Sequence, residues 1–498
     1  MSCALAQVPQ ALEPPPPVSP ETGAPPPALR VEPRVLITQT LNDISGASGR
    51  TASLTQISPG LRVTSRRGRV QGQVDYSLEG VIDSASSDDG IRHLLDAAVT
   101  AELIERRLFV DVQASIARRP ISAFGQQTAD PALANPNLTD QRKFSIAPVL
   151  RGSIAGEVDY LARVAHAVTR SAGSDAFDSD ISSALLRLSG GTPLRGLGWV
   201  LEGTNDIYDF RVNRKTESKR VSARAAYAIT PSLQVALIGG RESNDLRTLQ
   251  PQTYNNAGWL LDWRPSERTH VFAQQERRFF GMGFNAFAEY RTARTTWRAS
   301  DRRDISTPQE QRTLAAVGTF YDLFFAQFAA LEPDPVLRDV LVTNFLRVNG
   351  INPRTPVFGG FLTSSVTLTR DQQLSFAWRG LRDTITLLWQ QTWTRRADTL
   401  ADAPDDFSNT ALVHQRGLSL NVSHRMTPLS TLSLLVQYLR TRGDFASQDS
   451  NLRSMTVSWS EQLGERTTAT LGLRHSQFDS SSQPYRENAV IGTLLMRF

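Results

Sequence analysis

Residues 454–460 read Ser454-Met455-Thr456-Val457-Ser458-Trp459-Ser460, an apolar side chain at every second position and a small hydroxyl at the others. Successive side chains of a strand point to opposite faces, so a period of two describes a strand with one apolar and one polar face. The pattern recurs through the chain. Val70, Gly72, Val74, Tyr76 and Leu78 alternate with Gln71, Gln73, Asp75, Ser77 and Glu79. Ile385, Leu387, Trp389 and Trp393 alternate with Thr384, Thr386, Gln390, Thr392 and Thr394, and Leu418, Leu420 and Val422 with Ser419, Asn421 and Ser423. Such segments run about ten to fifteen residues, longer than a globular strand and right for crossing a bilayer at a tilt.

Composition narrows the classes. The 498 residues carry 54 basic and 49 acidic side chains, a net charge of +5 that gives no footprint for nucleic acid. Hydrophobic residues make up 40%, below the level usual for a soluble chain of several cores. Lys143, Lys215 and Lys219 are the only lysines, a bias that a GC-rich genome explains and that arginine chemistry in a pore would also explain. The single cysteine, Cys3, excludes a disulfide framework, Cys-ligated zinc and CxxC redox chemistry.

Ala4-Leu5-Ala6 before Gln7 fits a signal-peptidase site without the apolar segment that should precede it, so residues 1–6 are expected to be the remnant of a signal peptide. Residues 7–33 form a proline-rich linker, with ten prolines between positions 8 and 34. No stretch offers about 18 uninterrupted apolar residues, which excludes a helical membrane protein. From residue 34 to 498, short turns alternate with longer polar loops, the asymmetry of a transmembrane barrel with short periplasmic turns and long outer loops.

The expected fold is an all-β, antiparallel, up-and-down outer-membrane β-barrel of about 22 strands, with 18 to 22 as the range. The even number places both termini in the periplasm. This tally takes 34–41 as the first strand, 284–300 as one strand, and 361–369 and 373–379 as two. The terminal strand ends on Phe498, and Val490, Gly492, Leu494 and Met496 share its face, which resembles the signal read by the outer-membrane barrel-assembly machinery. Trp199, Trp378, Trp389, Trp393 and Trp459 fall on the apolar register, as lipid-interface girdles do. Asp75, Glu79, Asp111, Glu157, Asp159, Arg163, Glu202, Arg224 and Arg474 fall on the polar register and are expected to face the lumen.

Residues 304–356 break the period. Thr307-Pro308-Gln309-Glu310 is a capping box with proline at the first helical position, followed by the stripe Val317, Phe320, Tyr321, Phe324, Phe328 and Leu331. A second helix begins at Asp334-Pro335, carries Val336, Val340, Leu341 and Leu346, and ends at Asn349-Gly350. Strand parity puts this insert on the periplasmic side, as a lumen plug, a periplasmic cap or a docking element.

Catalytic and cofactor signals are weak. The six histidines show no metal-ligand spacing, and neither a G-x-S-x-G elbow nor a phosphate loop occurs, so no cofactor, metal or catalytic residue is assigned and no enzyme is expected. Ser419 or Ser423 beside His424 is the one Ser/His pair that a minor hydrolase reading could use. Asp88-Asp89 and Asp405-Asp406 lie in expected outer loops, where they would be solvated or bind cations or lipopolysaccharide.

Several segments resemble the outer-membrane barrel family associated with the PEP-CTERM/exosortase system of exopolysaccharide-producing Gram-negative bacteria. They are Gln56-Ile57-Ser58-Pro59-Gly60, Gly68-Arg69, Asp75-Tyr76-Ser77-Leu78, Leu108-Phe109-Val110-Asp111, and Leu337 to Ile351 ending Asn349-Gly350-Ile351. The resemblance implies an outer-membrane location, contact with lipid and lipopolysaccharide, and a link to exopolysaccharide or exosortase-system proteins, with no activity and no functional residues to carry over. The expected function is a channel for polymer or polar solute; the alternatives are a non-conducting assembly barrel and an outer-membrane hydrolase.

Overall fold

The computed structural model describes residues 29–46, 49–85, 90–130, 132–306, 360–400 and 404–498, with Tyr321, Phe324, Phe325, Phe328, Arg338, Val342, Thr343 and Leu346 from the intervening segment. The described strands are β1 (Leu29–Gly46), β2 (Arg50–Ser65), β3 (Val70–Asp83), β4 (Gly90–Ile104), β5 (Leu108–Pro120), β6 (Leu138–Ile154) and β7 (Val158–Ser171). Next come β8 (Ser179–Gly191), β9 (Leu197–Phe210), β10 (Thr216–Thr230), β11 (Leu233–Asn244), β12 (Gln252–Ser266), β13 (Thr269–Arg278), β14 (Gly281–Arg291) and β15 (Thr295–Ser306). The last are β16 (Thr367–Arg379), β17 (Asp383–Arg396), β18 (Val413–Arg425), β19 (Ser430–Arg442), β20 (Ser450–Gln462), β21 (Thr467–Ser480) and β22 (Tyr485–Arg497).

Each strand pairs antiparallel with the next, and β22 returns to β1 in a register running from Arg34 opposite Arg497 to Gly46 opposite Tyr485. The 22-stranded sheet is therefore closed and has no free edge. Opposed residues of paired strands share a face, so the register sorts the whole wall into two surfaces. On one lie Val164, Leu186, Val221, Leu237, Leu471 and Leu473, all more than half exposed. On the other, side chains bond across strands that are not neighbours, as Arg220 of β10 does with Glu276 of β13, which only a concave surface allows. The exposed apolar surface is the outside. A continuous apolar band there needs lipid rather than water against it, the construction of an outer-membrane barrel.

The two ends of the wall differ. At one, the turns are short: Arg66 to Arg69, Glu105 to Arg107, Ala155 to Glu157 and Gly380 to Arg382 close successive hairpins. Both ends of the sheet's chain lie here, where the Phe498 amide donates to the Pro33 carbonyl at 3.0 Å. The opposite, loop end carries the long connections, including 121–137, 245–251 and 397–412, although β13 and β14 are joined there by Phe279-Phe280 alone.

Three sequence expectations change. The first strand begins at Leu29, so the last residues of the proline-rich stretch, Pro33 included, belong to the wall opposite β2. Residues 284–300 are not one strand: the Thr292 amide donates to the Thr295 carbonyl at 2.8 Å and turns β14 into β15. Residues 361–369 and 373–379 do not form two, because β16 runs unbroken through Arg370 and Gln372, polar residues on its outer face. The two errors cancel in the count and invert the parity between them. The segment between β15 and β16, which contains 307–356, is thus attached at the loop end, opposite the end that carries both termini of the sheet. Residues 304–306 belong to β15 itself. The signal remnant, most of the linker, the capping box at Thr307, Asp88 and Asp89 lie outside the described residues.

Candidate functional site

The lumen is built by the polar register of every strand. Asp75 on β3 accepts from Arg34 of β1, and Glu79 lies 3.8 Å from Arg92 of β4. Asp111 on β5 accepts from Thr100 Oγ1 at 2.8 Å, and Glu202 on β9 takes both Nε (2.9 Å) and Nη2 (2.6 Å) of Arg187. Asp159 and Arg163 share the inward face of β7, and Arg224 that of β10. Arg474 on β21 bonds Glu487 of β22 at 2.7 Å and Asp130 of the 121–137 connection at 3.2 Å. Glu157 departs from the expectation. It is exposed in the turn before β7, because Ala155 (φ 53°) and Gly156 (φ 75°) take left-handed conformations that end β6 and reverse the chain.

Sequence reasoning missed the densest cluster. Glu242 on β11, fully buried, accepts from Arg278 of β13 at 2.7 Å, and the same guanidinium reaches Asp304 of β15 at 2.7 Å. These residues occupy the polar register like those that were named. The available signal was the alternation of Arg220, Glu242, Glu276, Arg278 and Asp304 with outward residues. The inner wall is thus lined by charges of both signs that largely satisfy one another.

The loop end is roofed by its connections. Residues 361–366 are all buried. Ser364 donates through its amide (3.0 Å) and Oγ (2.8 Å) to Asp405, which also accepts from Arg396 at 3.0 Å, and its carbonyl accepts from Asn213 at 2.6 Å. Asp406 accepts from Ser122 Oγ at 2.6 Å and the Ala123 amide at 2.7 Å, tying 397–412 to 121–137. Burial pushes the Asp406 carboxyl above the usual carboxylate range, against the two hydrogen bonds that favour its charged form. The solvated role expected for Asp405-Asp406 is therefore corrected: the buried Asp405 and the half-buried Asp406 act as struts, since they cap backbone donors that the roof would otherwise strand. Leu133 and Ala132 pack on inward Leu54 and Val81, and Tyr485 donates to the Gln127 carbonyl at 2.8 Å, so the 121–137 connection folds inward.

From the segment between β15 and β16, the helical residues Phe324, Phe328, Val342 and Leu346 are buried together with Leu388 of β17 and Leu435 of β19. Leu388 and Leu435 are inward positions in the middle of their strands, two apolar contacts in a mostly hydroxyl and amide wall. Thr343 Oγ1 accepts from Arg62 of β2 at 3.0 Å. These helical residues thus lie inside the barrel, against the β17–β19 wall and in reach of β2. Val317, Phe320, Leu331, Val336, Val340 and Leu341 lie outside the described residues.

Trp199, Trp378, Trp389, Trp393 and Trp459 are on the outer register, with Trp199 Nε1 donating to the Gly191 carbonyl at 3.2 Å. Trp259, Trp263 and Trp297, not singled out from sequence, are on the same surface, 42–45% exposed. Val490, Gly492, Leu494 and Met496 face outward on β22, and Phe498 is 64% exposed. His424 faces outward, hydrogen-bonded to Asp383 at 2.6 Å, whereas Ser419 and Ser423 face the lumen, so neither serine forms a pair with it.

No family model matches the chain, and no curated protein matches it. Among solved structures it is similar to the FrpB iron transporter of Neisseria meningitidis, at 9% identity over 94% of this chain and 82% of that one, with a TM-score of 0.48. The siderophore receptor PirA of Pseudomonas aeruginosa is 10% identical over 94% and 80% of the two chains at a TM-score of 0.38, and OccK5 (OpdH) of the same organism 10% identical over 94% and 98% at 0.35. Likenesses of this size carry no cargo and no residue roles to this chain. Its own register and surfaces define it as a closed 22-stranded outer-membrane barrel with a charged lumen and a roofed loop end.

Proposed function

We propose that the chain is a gated conduit in the outer membrane of a Gram-negative bacterium, with its turn end and termini in the periplasm and its loop end at the cell surface. The observation that carries this reading is the packing of Phe324, Phe328, Val342 and Leu346 on Leu388 and Leu435 inside the barrel. Barrels of about 22 strands enclose more space than their own side chains fill, and a mobile or removable filling makes such a lumen a gate. The charged lining supports a polar cargo. The resemblance to PEP-CTERM-associated barrels supports a polysaccharide strand as that cargo and exosortase-system proteins as partners. The Val490 to Phe498 register supports delivery by the barrel-assembly machinery. The reading contains no catalytic step.

A second reading, a non-conducting assembly barrel that binds surface polymer through its loops, is favoured by the roof that Asp405 and Asp406 hold together. Single-channel conductance of the refolded protein, with and without residues 307–359, separates the two. Conductance steps that appear on deletion, and that added soluble polysaccharide blocks, support the conduit. Silence of both forms, when heat-modifiable gel migration shows a folded barrel, leaves the assembly reading.

A further inference from the structure

The two mouths of the barrel carry opposite charge. The connections at the turn end, from 66–69 round to 463–466, hold ten arginines, no lysine and four carboxylates, Glu105, Glu157, Glu267 and Glu465. Among the described residues of the loop-end connections the balance reverses, with nine carboxylates against five cations. Pairing follows the same division. At the loop end Arg211 lies 3.4 Å from Asp175 and Arg214 3.3 Å from Asp398. At the turn end Arg67, Arg195, Arg294, Arg382 and Arg466 are exposed, each on a different hairpin, and none of these guanidinia forms an ion pair or a hydrogen bond with a described residue. A closed barrel sets its turns around its mouth, so these charges form a ring.

The unpaired charge continues inward. Arg163 of β7 and Arg224 of β10 face the lumen on either side of the Arg187–Glu202 bridge, and each keeps a buried Nε without a hydrogen-bond partner. Glu202 already accepts twice from Arg187, at 2.6 and 2.9 Å. Nearer the loop end the same wall is neutralised, Arg220 by Glu276 and Arg278 by Glu242 and Asp304. Free positive charge thus runs from the turn-end rim into the lumen and stops where the carboxylates begin.

We infer that the turn-end mouth is the entry site for an acidic polysaccharide, whose carboxylates meet the rim arginines first and Arg163 and Arg224 next. The inference rests on the conduit reading and adds to it the sign of the cargo and the mouth that captures it. A mouth of one sign concentrates a chain of the other and speeds its capture, while the acidic loop end slows capture of the same chain from outside. Planar guanidinia bind carboxylates two points at a time, which suits a chain that repeats one acid per sugar. A folded partner docked on the rim would satisfy the rim arginines and leave the two inward ones bare. A threadlike polymer reaches both.

The test is fluorescence anisotropy of labelled polygalacturonate, with labelled dextran of equal length as the neutral control, titrated with the full-length folded barrel in nonionic detergent. The wild type is expected to bind polygalacturonate with an affinity that falls as salt rises, and dextran not at all. The R67Q/R195Q/R382Q/R466Q variant is expected to bind about tenfold more weakly, the sum of four modest exposed contacts, and R163Q/R224Q to bind about threefold more weakly. R211Q/K215Q, altered at the loop end, is expected to bind like the wild type. Should the quadruple variant fail to show heat-modifiable gel migration, R382Q/R466Q carries the comparison. Equal binding of dextran, or equal binding by the rim variant, would overturn the site. Loss of affinity in the rim variant with none in R163Q/R224Q would mean that the occupant stops at the rim, handing the site to an acidic protein and overturning the polymer assignment. Binding is read without a bilayer, so a conducting barrel that ignores polygalacturonate breaks this inference alone, whereas a silent barrel that binds it through these arginines breaks the conduit reading instead.

Discussion

The two borders of the apolar belt solve different problems. At the turn end the outer surface ends in tryptophans (Trp199, Trp263, Trp297, Trp378 and Trp459) and the chain reverses in turns that satisfy themselves within a few residues. At the loop end the surface carries arginines such as Arg142, Arg170, Arg416 and Arg440, and the connections are held by the buried carboxylates Asp405 and Glu487 and the half-buried Asp406. Local hydrogen bonds make the turn end tolerant of change. Long-range ones make the loop end depend on single side chains far apart in sequence.

The difference predicts how each end breaks. Asp405→Ala removes the acceptor of Arg396, of Ser364 and of the Phe407 amide at once, and should cost about 3–5 kcal/mol by urea midpoint while exposing 360–366 to protease. Leu388→Ala leaves a void beneath Phe324 and Phe328, and should cost roughly 2–4 kcal/mol of insert docking, read as protease nicking of the insert at a urea concentration the wild type resists. Gly156→Ala puts a side chain at φ 75° in a turn and should cost about 1–2 kcal/mol, with loop-end protection unchanged by hydrogen exchange.

The smallest expected effect concerns pH. Burial raises the folded pKa of Asp406 above its unfolded value, so the protonated form is the one that folding favours. Its contribution to roof closure is fully present below the unfolded pKa and diminishes as pH rises through the window between the unfolded and the folded value. The protection factor of the Ala123 amide, corrected for the intrinsic pH dependence of exchange, should therefore fall across that window in the wild type, and a protection factor independent of pH would contradict it.

The wall was legible in the sequence because the period of two is written in residues such as Met455, Val457 and Trp459, and a membrane barrel uses both of its faces. What failed was punctuation. Arg291-Thr292-Ala293-Arg294 turns the chain without glycine or proline, closing on hydroxyl and amide bonds between Thr292 and Thr295, and so read as strand. Arg370 and Gln372 broke the apolar face of β16 and so read as a break. Both are positions where the outer surface leaves the lipid. The lumen charges were readable by parity, Glu157 excepted, whereas their partners were not. Asp130 meets Arg474, and Ser122 meets Asp406, across hundreds of residues that carry no shared local signal.

Closure by β1 and β22 sets the order of events in making this molecule. Arg34 pairs beside Arg497, so the first and last strands of the wall are neighbours, and the seam is the pairing of greatest sequence separation in it. The wall cannot be sealed until β22 is in place beside β1. Until then it presents two bare strand edges, and a truncation of even one terminal strand would leave a permanent sticky sheet in place of a barrel.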